Sequence, residues 1–354
     1  MTERISKTIT ASRFPLIFLI VLLHTIVLGQ SYPKGVEIPV GKYTLLDVVQ
    51  FVSQREIGDL GVPAFFLVSG FLFFCGKEMS VEVWKEKLKK RVISLLVPYL
   101  IWNTLFLIYY LVLSKVLTIG DWGLSEYTPI QYLDLYLGFN SGPVLAPLWF
   151  IRDLMILNIL ALPGFYLVKK MKWLALPLFV IPFLLVSFSV YAIPYIGVRS
   201  LVPYFLGAWF AIHRKEFIVV SRKLLLLLNI LFIVIIFVVT VLHFEGRPNR
   251  MLQQSEILLG VFLLFSNINY LLEHRVIKDG KRLSESSFFV YVTHMFIMNI
   301  PNKLWVLVLP PNGAMASLMQ WIIPLVVTVL LCYAYFGLKR ITPKTMAVLT
   351  GGRK

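Results

Sequence analysis

Residues 13–24 read Arg13-Phe-Pro-Leu-Ile-Phe-Leu-Ile-Val-Leu-Leu-His24. The run is apolar enough for a bilayer interior, yet an ionisable group closes each end. A histidine inside a membrane helix is costly to bury and usually has a function. At about 1.5 Å rise per residue, eleven steps set His24 roughly 16 Å deeper than Arg13. The arginine reaches one interface, while the imidazole, able to take a proton near neutral pH, lies toward the other.

The rest of the chain has the same character. Of its 354 residues, 58% are hydrophobic and 15% charged, too few charges for a soluble domain of this size. The first 30 residues also fit a signal peptide, with Arg4, Lys7 and Arg13 as the basic region, Phe14 to Leu28 as the apolar region and Gly29 at a cleavage site. Further apolar runs follow without a break, so the first run reads as a retained helix.

The apolar runs fall at 12–29, 60–76, 93–113, 147–168, 173–190, 198–213, 223–243, 251–272, 286–301 and 316–338. They predict an all-α fold: one integral-membrane domain over 1–354, a polytopic bundle of about ten transmembrane helices. No long polar linker, low-complexity tract or internal repeat is visible. With the N-terminus in the cytoplasm, most of the 34 Lys and Arg residues fall on the cytoplasmic side. Lys339, Arg340, Lys344, Arg353 and Lys354 follow the last run, which places both termini there. The net charge of +16 therefore reads as a topology signal, then as attraction to anionic lipid or phosphate, and not as nucleic-acid binding. Cys75 and Cys332 lie in apolar runs and offer neither a disulfide framework nor a zinc spacing, so no metal is expected.

Three stretches read as outer loops. Residues 30–59 include an amphipathic segment from Leu45 to Phe51. Residues 114–146 are rich in Tyr, Trp, Pro and Gly, and 302–315 carry Pro310, Pro311 and Gly313. Residues 77–92 read as a basic amphipathic helix on the opposite surface. There Lys85, Lys87 and Lys89 serve as anchors, while Lys90 and Arg91 face the interior.

The other ionisable groups at membrane depth are Arg152, Asp153, Arg199, Glu256 and His294. Asp153 shares the depth of His24, and a carboxylate beside an imidazole fixes its tautomer. Its competing partner is Arg152, which would make a structural pair. His294 reads either as an interhelical hydrogen bond or as a chemical group. His213, His243 and His274 read as interfacial. Ser69 and Gly70 suit close helix packing; no G-x-S-x-G elbow marks Ser69 as a nucleophile.

Several fragments together resemble acyltransferase family 3, the multi-spanning membrane O-acyltransferases of bacterial glycans. Arg13 and His24 match its Arg/Lys, ten residues, His pattern in the first helix. The stretch from Pro63 to Phe73, PAFFLVSGFLF, looks like its FFxxSGFL helix. Lys89 to Tyr99, KKRVISLLVPY, resembles its basic approach to the third helix. Pro147-Leu-Trp-Phe-Ile-Arg152 looks like its LWF segment, and Phe289-Val-Tyr-Val-Thr-His294 resembles its late Tyr/His helix. Two positions depart from the pattern: Thr10 stands where an Asp is common, and Ser94 stands where the family's Arg-x-x-Arg has its second arginine.

The resemblance implies transfer of an acyl group, most often acetyl, from cytoplasmic acyl-CoA to a hydroxyl of a cell-surface or lipid-linked glycan. The location would be the bacterial cytoplasmic membrane. Acyl-CoA is the donor substrate, with no permanently bound cofactor. Arg13, Lys90 and Arg91 would bind its phosphates. His24 would take the acceptor's proton or carry the acyl group itself, with Asp153 orienting it. Arg152, Arg199, Glu256 and His294 would bind the sugar. A transporter or flippase of a lipid-linked sugar is the alternative reading, and a membrane scaffold or sensor is a third.

Overall fold

The computed structural model describes every residue except 31, 42–43, 77, 118–123, 141, 186–190, 194–195, 219–220 and 353–354. The chain opens with α1 (Glu3–His24), whose N-terminus is capped by the Thr2 side chain accepting from the Ile5 N–H. Next come α2 (Thr44–Phe51), a π-helical turn (Val52–Ile57), a 3₁₀ turn and α3 (Gly61–Phe74). Then α4 (Val81–Arg91) passes through a second π-helical turn (Val92–Leu96) into α5 (Val97–Leu117). A short α6 (Pro129–Leu137) with a Thr128/Gln131 capping box precedes α7 (Trp149–Ile159), α8 (Ala161–Met171) and α9 (Ala175–Leu185).

A small antiparallel ribbon, β1 (Tyr191–Ile193) with β2 (Ile196–Gly197), leads into α10 (Val198–Ile212). The remainder is α11 (Arg222–Phe244), α12 (Arg250–Glu273), α13 (Lys281–Ile297), α14 (Asn299–Leu304), α15 (Gly313–Ile341) and α16 (Pro343–Leu349).

This is a polytopic helical membrane protein, as expected. Among the described residues six helices are long and apolar enough to cross a membrane, or seven if the pair Ala146–Ile159 and Ala161–Leu185, bent by 65°, counts as one span. That is fewer than the ten runs suggest. The fourth and fifth runs belong to the bent pair, and residues 186–190 of the fifth lie outside the described residues. The sixth run, α10, has only 15 residues. The ninth, α13, has 17 and opens on Lys281 and Arg282. Another difference concerns 30–59: from Thr44 onward this stretch is helical and continuous with α3 as one 31-residue segment, not an outer loop.

The core lies along α1, which packs against α3, α12, α13 and α15. The closest crossing is α3 on α10. A methyl group on Gly70 would sit 1.9 Å from the Tyr204 carbonyl oxygen, and one on Gly207 would sit 1.9 Å from that of Leu67. Only glycine lets the two backbones meet this way. By contrast, α11 exposes Leu226, Leu227, Ile233 and Phe237, the surface expected to face lipid. At the other extreme of the chain, Leu349 accepts from the Trp102 indole at 2.9 Å, and Gly351, at φ 66°, lies against the Ser94 backbone. The C-terminal segment thus packs on the second π-helical turn.

Candidate active site

The eleven residues from Arg13 to His24 make three helical turns plus about 20°. Both side chains therefore leave the same face of α1. They line one cavity of about 540 Å³, together with Arg91, Ser94, Arg199 and Tyr291, and its walls between the polar ends are apolar, with Leu16, Ile20, Phe65 and Phe150.

At the Arg13 end, neither Arg13 nor Arg91 has a carboxylate partner among the described residues. The Arg91 guanidinium lies 5.8 Å from the centre of the Phe73 ring. Ser12, Ser94, Ser284 and Ser287 add hydroxyls, and the buried Ser287 hydroxyl has no partner among the described residues. Glu285 also lines this end, but Lys339 donates to it at 2.6 Å. Two unpaired guanidiniums among hydroxyls make a site for a multiply charged anion.

At the other end, His24 Nδ1 lies 2.8 Å from the Ile20 carbonyl oxygen. A carbonyl only accepts, so Nδ1 carries the hydrogen and Nε2 keeps the lone pair of a neutral base. His294 meets His24 ring edge to face, centroids 5.2 Å apart. It is fully buried and its Nδ1 donates to the Tyr291 carbonyl at 2.7 Å. Arg199 is held by an ion pair with buried Asp59 and also donates to the Asp59 carbonyl at 3.3 Å.

The other expected residues lie elsewhere. Asp153 does not orient His24. Its Oδ1 accepts from Arg152 at 2.8 Å and its Oδ2 from Ser200 at 2.6 Å, and the Ile20 carbonyl takes the orienting role. Arg152 also donates to the Gly138 carbonyl, so the Arg152–Asp153 pair braces α7 against α10 and the residue-138 loop. Glu256 is fully buried beside Glu56. None of Arg152, Asp153, Glu256 or His294 lines the cavity. Lys90 points outward and pairs with Glu86 at 2.6 Å, because one residue along a helix is a turn of about 100° away from Arg91. Gly70 serves packing as expected, whereas Ser69 lines the cavity.

Sequence reading missed Asp59, which sits in a stretch taken for a loop. Its only signal there is the charged group Arg55-Glu56 with Asp59 between apolar neighbours. Among the described residues no group of His, Cys, Asp and Glu is placed to hold a metal.

Comparison with known proteins gives two findings. The acyltransferase domain family matches residues 7–337. The chain is also similar to the succinoglycan biosynthesis protein ExoH of Rhizobium meliloti (strain 1021), 30% identical over 163 residues, which is 46% of this chain and 42% of that protein. The chain thus matches less than half the length of this curated relative. No solved structure matches it. The family match takes in Arg13, the π-helical turn after Arg91 and the whole cavity, and on it the chain belongs to the membrane acyltransferase 3 family.

Proposed function

We propose that the protein moves an acyl group, most simply acetyl, from acyl-CoA to a hydroxyl of a glycan built for the cell surface. The observation that carries this reading is that one cavity joins two unpaired arginines to His24, whose Nδ1 is held by the Ile20 carbonyl. The phosphates of CoA pair with Arg13 and Arg91. Its slender arm follows the apolar walls, and the thioester reaches His24, roughly 16 Å away along α1.

There the acceptor hydroxyl gives its proton to Nε2 as its oxygen attacks the thioester carbonyl. The C–S bond then breaks. The ester leaves with the new C–O bond, and the CoA thiolate takes the proton back from the imidazolium. The similarity to a succinoglycan biosynthesis protein supports a polysaccharide or lipid-linked precursor as the acceptor. The cluster of basic residues at the Arg13 end, including Arg4, Lys7, Lys339 and Arg340, supports a cytoplasmic donor side with both termini inside a bacterial cytoplasmic membrane. Arg353 and Lys354 of the expected basic tail lie outside the described residues.

The test is release of free CoA thiol by the purified full-length protein. Release from acetyl-CoA should depend on a glycan acceptor. Movement of lipid-linked sugar across a vesicle membrane with no thiol release would overturn the reading in favour of a flippase.

A further inference from the structure

His24 is the last residue of α1, and Thr25 turns into extended backbone at φ −80° and ψ 111°. A helix end leaves carbonyls without partners and frays easily, which is a poor place to hold a base. Here, though, Thr25 and Val27 are fully buried, so water cannot satisfy the backbone. Side-chain amides do so instead. Gln54 and Gln320 both donate to the Thr25 carbonyl, at 2.5 and 2.9 Å. Asn302 donates to the Ile26 carbonyl at 2.7 Å. The Gln50 side-chain oxygen accepts from both the Val27 and Leu28 N–H groups at 2.9 Å.

These amides come from α2, the first π-helical turn, α14 and α15, so separate elements of the bundle converge on the four residues after His24. Gln320 is itself fully buried and also donates to Ser53 at 3.1 Å. The π-helical turn supplies both Ser53 and Gln54, and such turns recur at functional sites.

We propose that Gln54 and Gln320 are positioning residues for His24: by sharing the Thr25 carbonyl they pin the end of α1, and so the imidazole, against the cavity. The inference rests on the acyl transfer proposed above. Neither residue lines the cavity, so neither is placed to contact the donor. Loss of one amide leaves the carbonyl one donor, whereas loss of both leaves it buried and unpaired. The two losses are therefore strongly non-additive.

The experiment uses full-length Gln54→Leu, Gln320→Leu and the double variant. Each is checked for a monodisperse elution profile in detergent and assayed for thiol release. Each single change should lower kcat a few-fold, and the pair about 10²-fold, with KM for acetyl-CoA within about twofold because Arg13 and Arg91 are untouched. A second readout does not need turnover: the rate at which diethyl pyrocarbonate modifies His24, followed by mass spectrometry, should change in each single variant and most in the double. If acyl transfer is not the activity, that rate still reports whether the imidazole has moved. A folded double variant with parental kcat or a parental His24 modification rate would overturn the proposal, as would a KM rising in step with the fall in kcat. If the double variant does not fold, a parental modification rate in both single variants is enough to overturn it.

Discussion

The two ends of the cavity are built on opposite plans. At one end Arg13 and Arg91 stand without a carboxylate partner among the described residues, and hydroxyls surround them. At the other, Arg199 is tied to Asp59, His24 to Ile20, and the backbone beyond His24 to the side-chain amides. An unpaired buried cation is unfavourable until an anion arrives, so the first end is suited to a charged ligand that comes and goes. The second end holds its groups in place before the reaction, as a site must when geometry decides the rate. On the proposed function, capture and chemistry would be separated along one channel, and substitutions at the two ends should fail in different ways.

The largest effect should come at the pinned end. His24→Gln keeps a hydrogen-bonding group of similar reach but removes the base. It should lower kcat for thiol release by about 10² to 10⁴-fold while expression and detergent stability stay near the parent's. A stable variant at parental rate would erase the contrast and rule out His24 as the base.

A smaller, different effect is expected at the capture end. Arg91→Ala should raise KM for acyl-CoA about tenfold or more, the worth of a charge-assisted phosphate contact, with kcat nearly unchanged. Steady-state kinetics over a donor series that includes dephospho-CoA would sharpen this, since the penalty should shrink if the lost contact is to the 3′-phosphate.

The smallest effect belongs to its neighbour. Lys90→Ala removes an exposed pair with Glu86, and such pairs contribute about 0–1 kcal/mol. Both kinetic constants should remain within about twofold. A KM shift in Lys90→Ala matching that of Arg91→Ala would mean that general positive charge, and not the cavity-facing guanidinium, recruits the donor.

Helices at the apolar runs, and the Arg13–His24 pair, were legible because hydropathy and a helical rise report depth along the bundle. Depth is blind to angle around it, however. Asp153 and His24 share a level by residue count, yet Asp153 turns to Arg152 and Ser200. For the same reason Lys90 and Arg91, adjacent in sequence, point about 100° apart, and only Arg91 lines the cavity. Residues 44–59 were misread because Arg55, Glu56 and Asp59 break the apolar pattern, and Arg199, which offsets Asp59, is distant in sequence. The amides around Thr25 gave no signal, since a glutamine or asparagine in a helix is unremarkable until its backbone partner is known. The resemblance to the family singled out the arginine and the histidine, which line one cavity, but it could not say what holds the end of their helix.

Because Arg13 and His24 ride on one unbroken helix, the gap between them is measured in whole residues. Exchanging apolar residues among positions 14–23 alters the cavity wall and leaves the interval alone. Inserting a single residue would swing His24 by about 100° and carry it out of the cavity, while inserting four would nearly restore its bearing but lengthen the interval by about 6 Å. The first helix therefore behaves as a graduated scale. On the proposed function it should tolerate changes of letter and reject changes of count, with the reach of the donor's arm measured along it in residues.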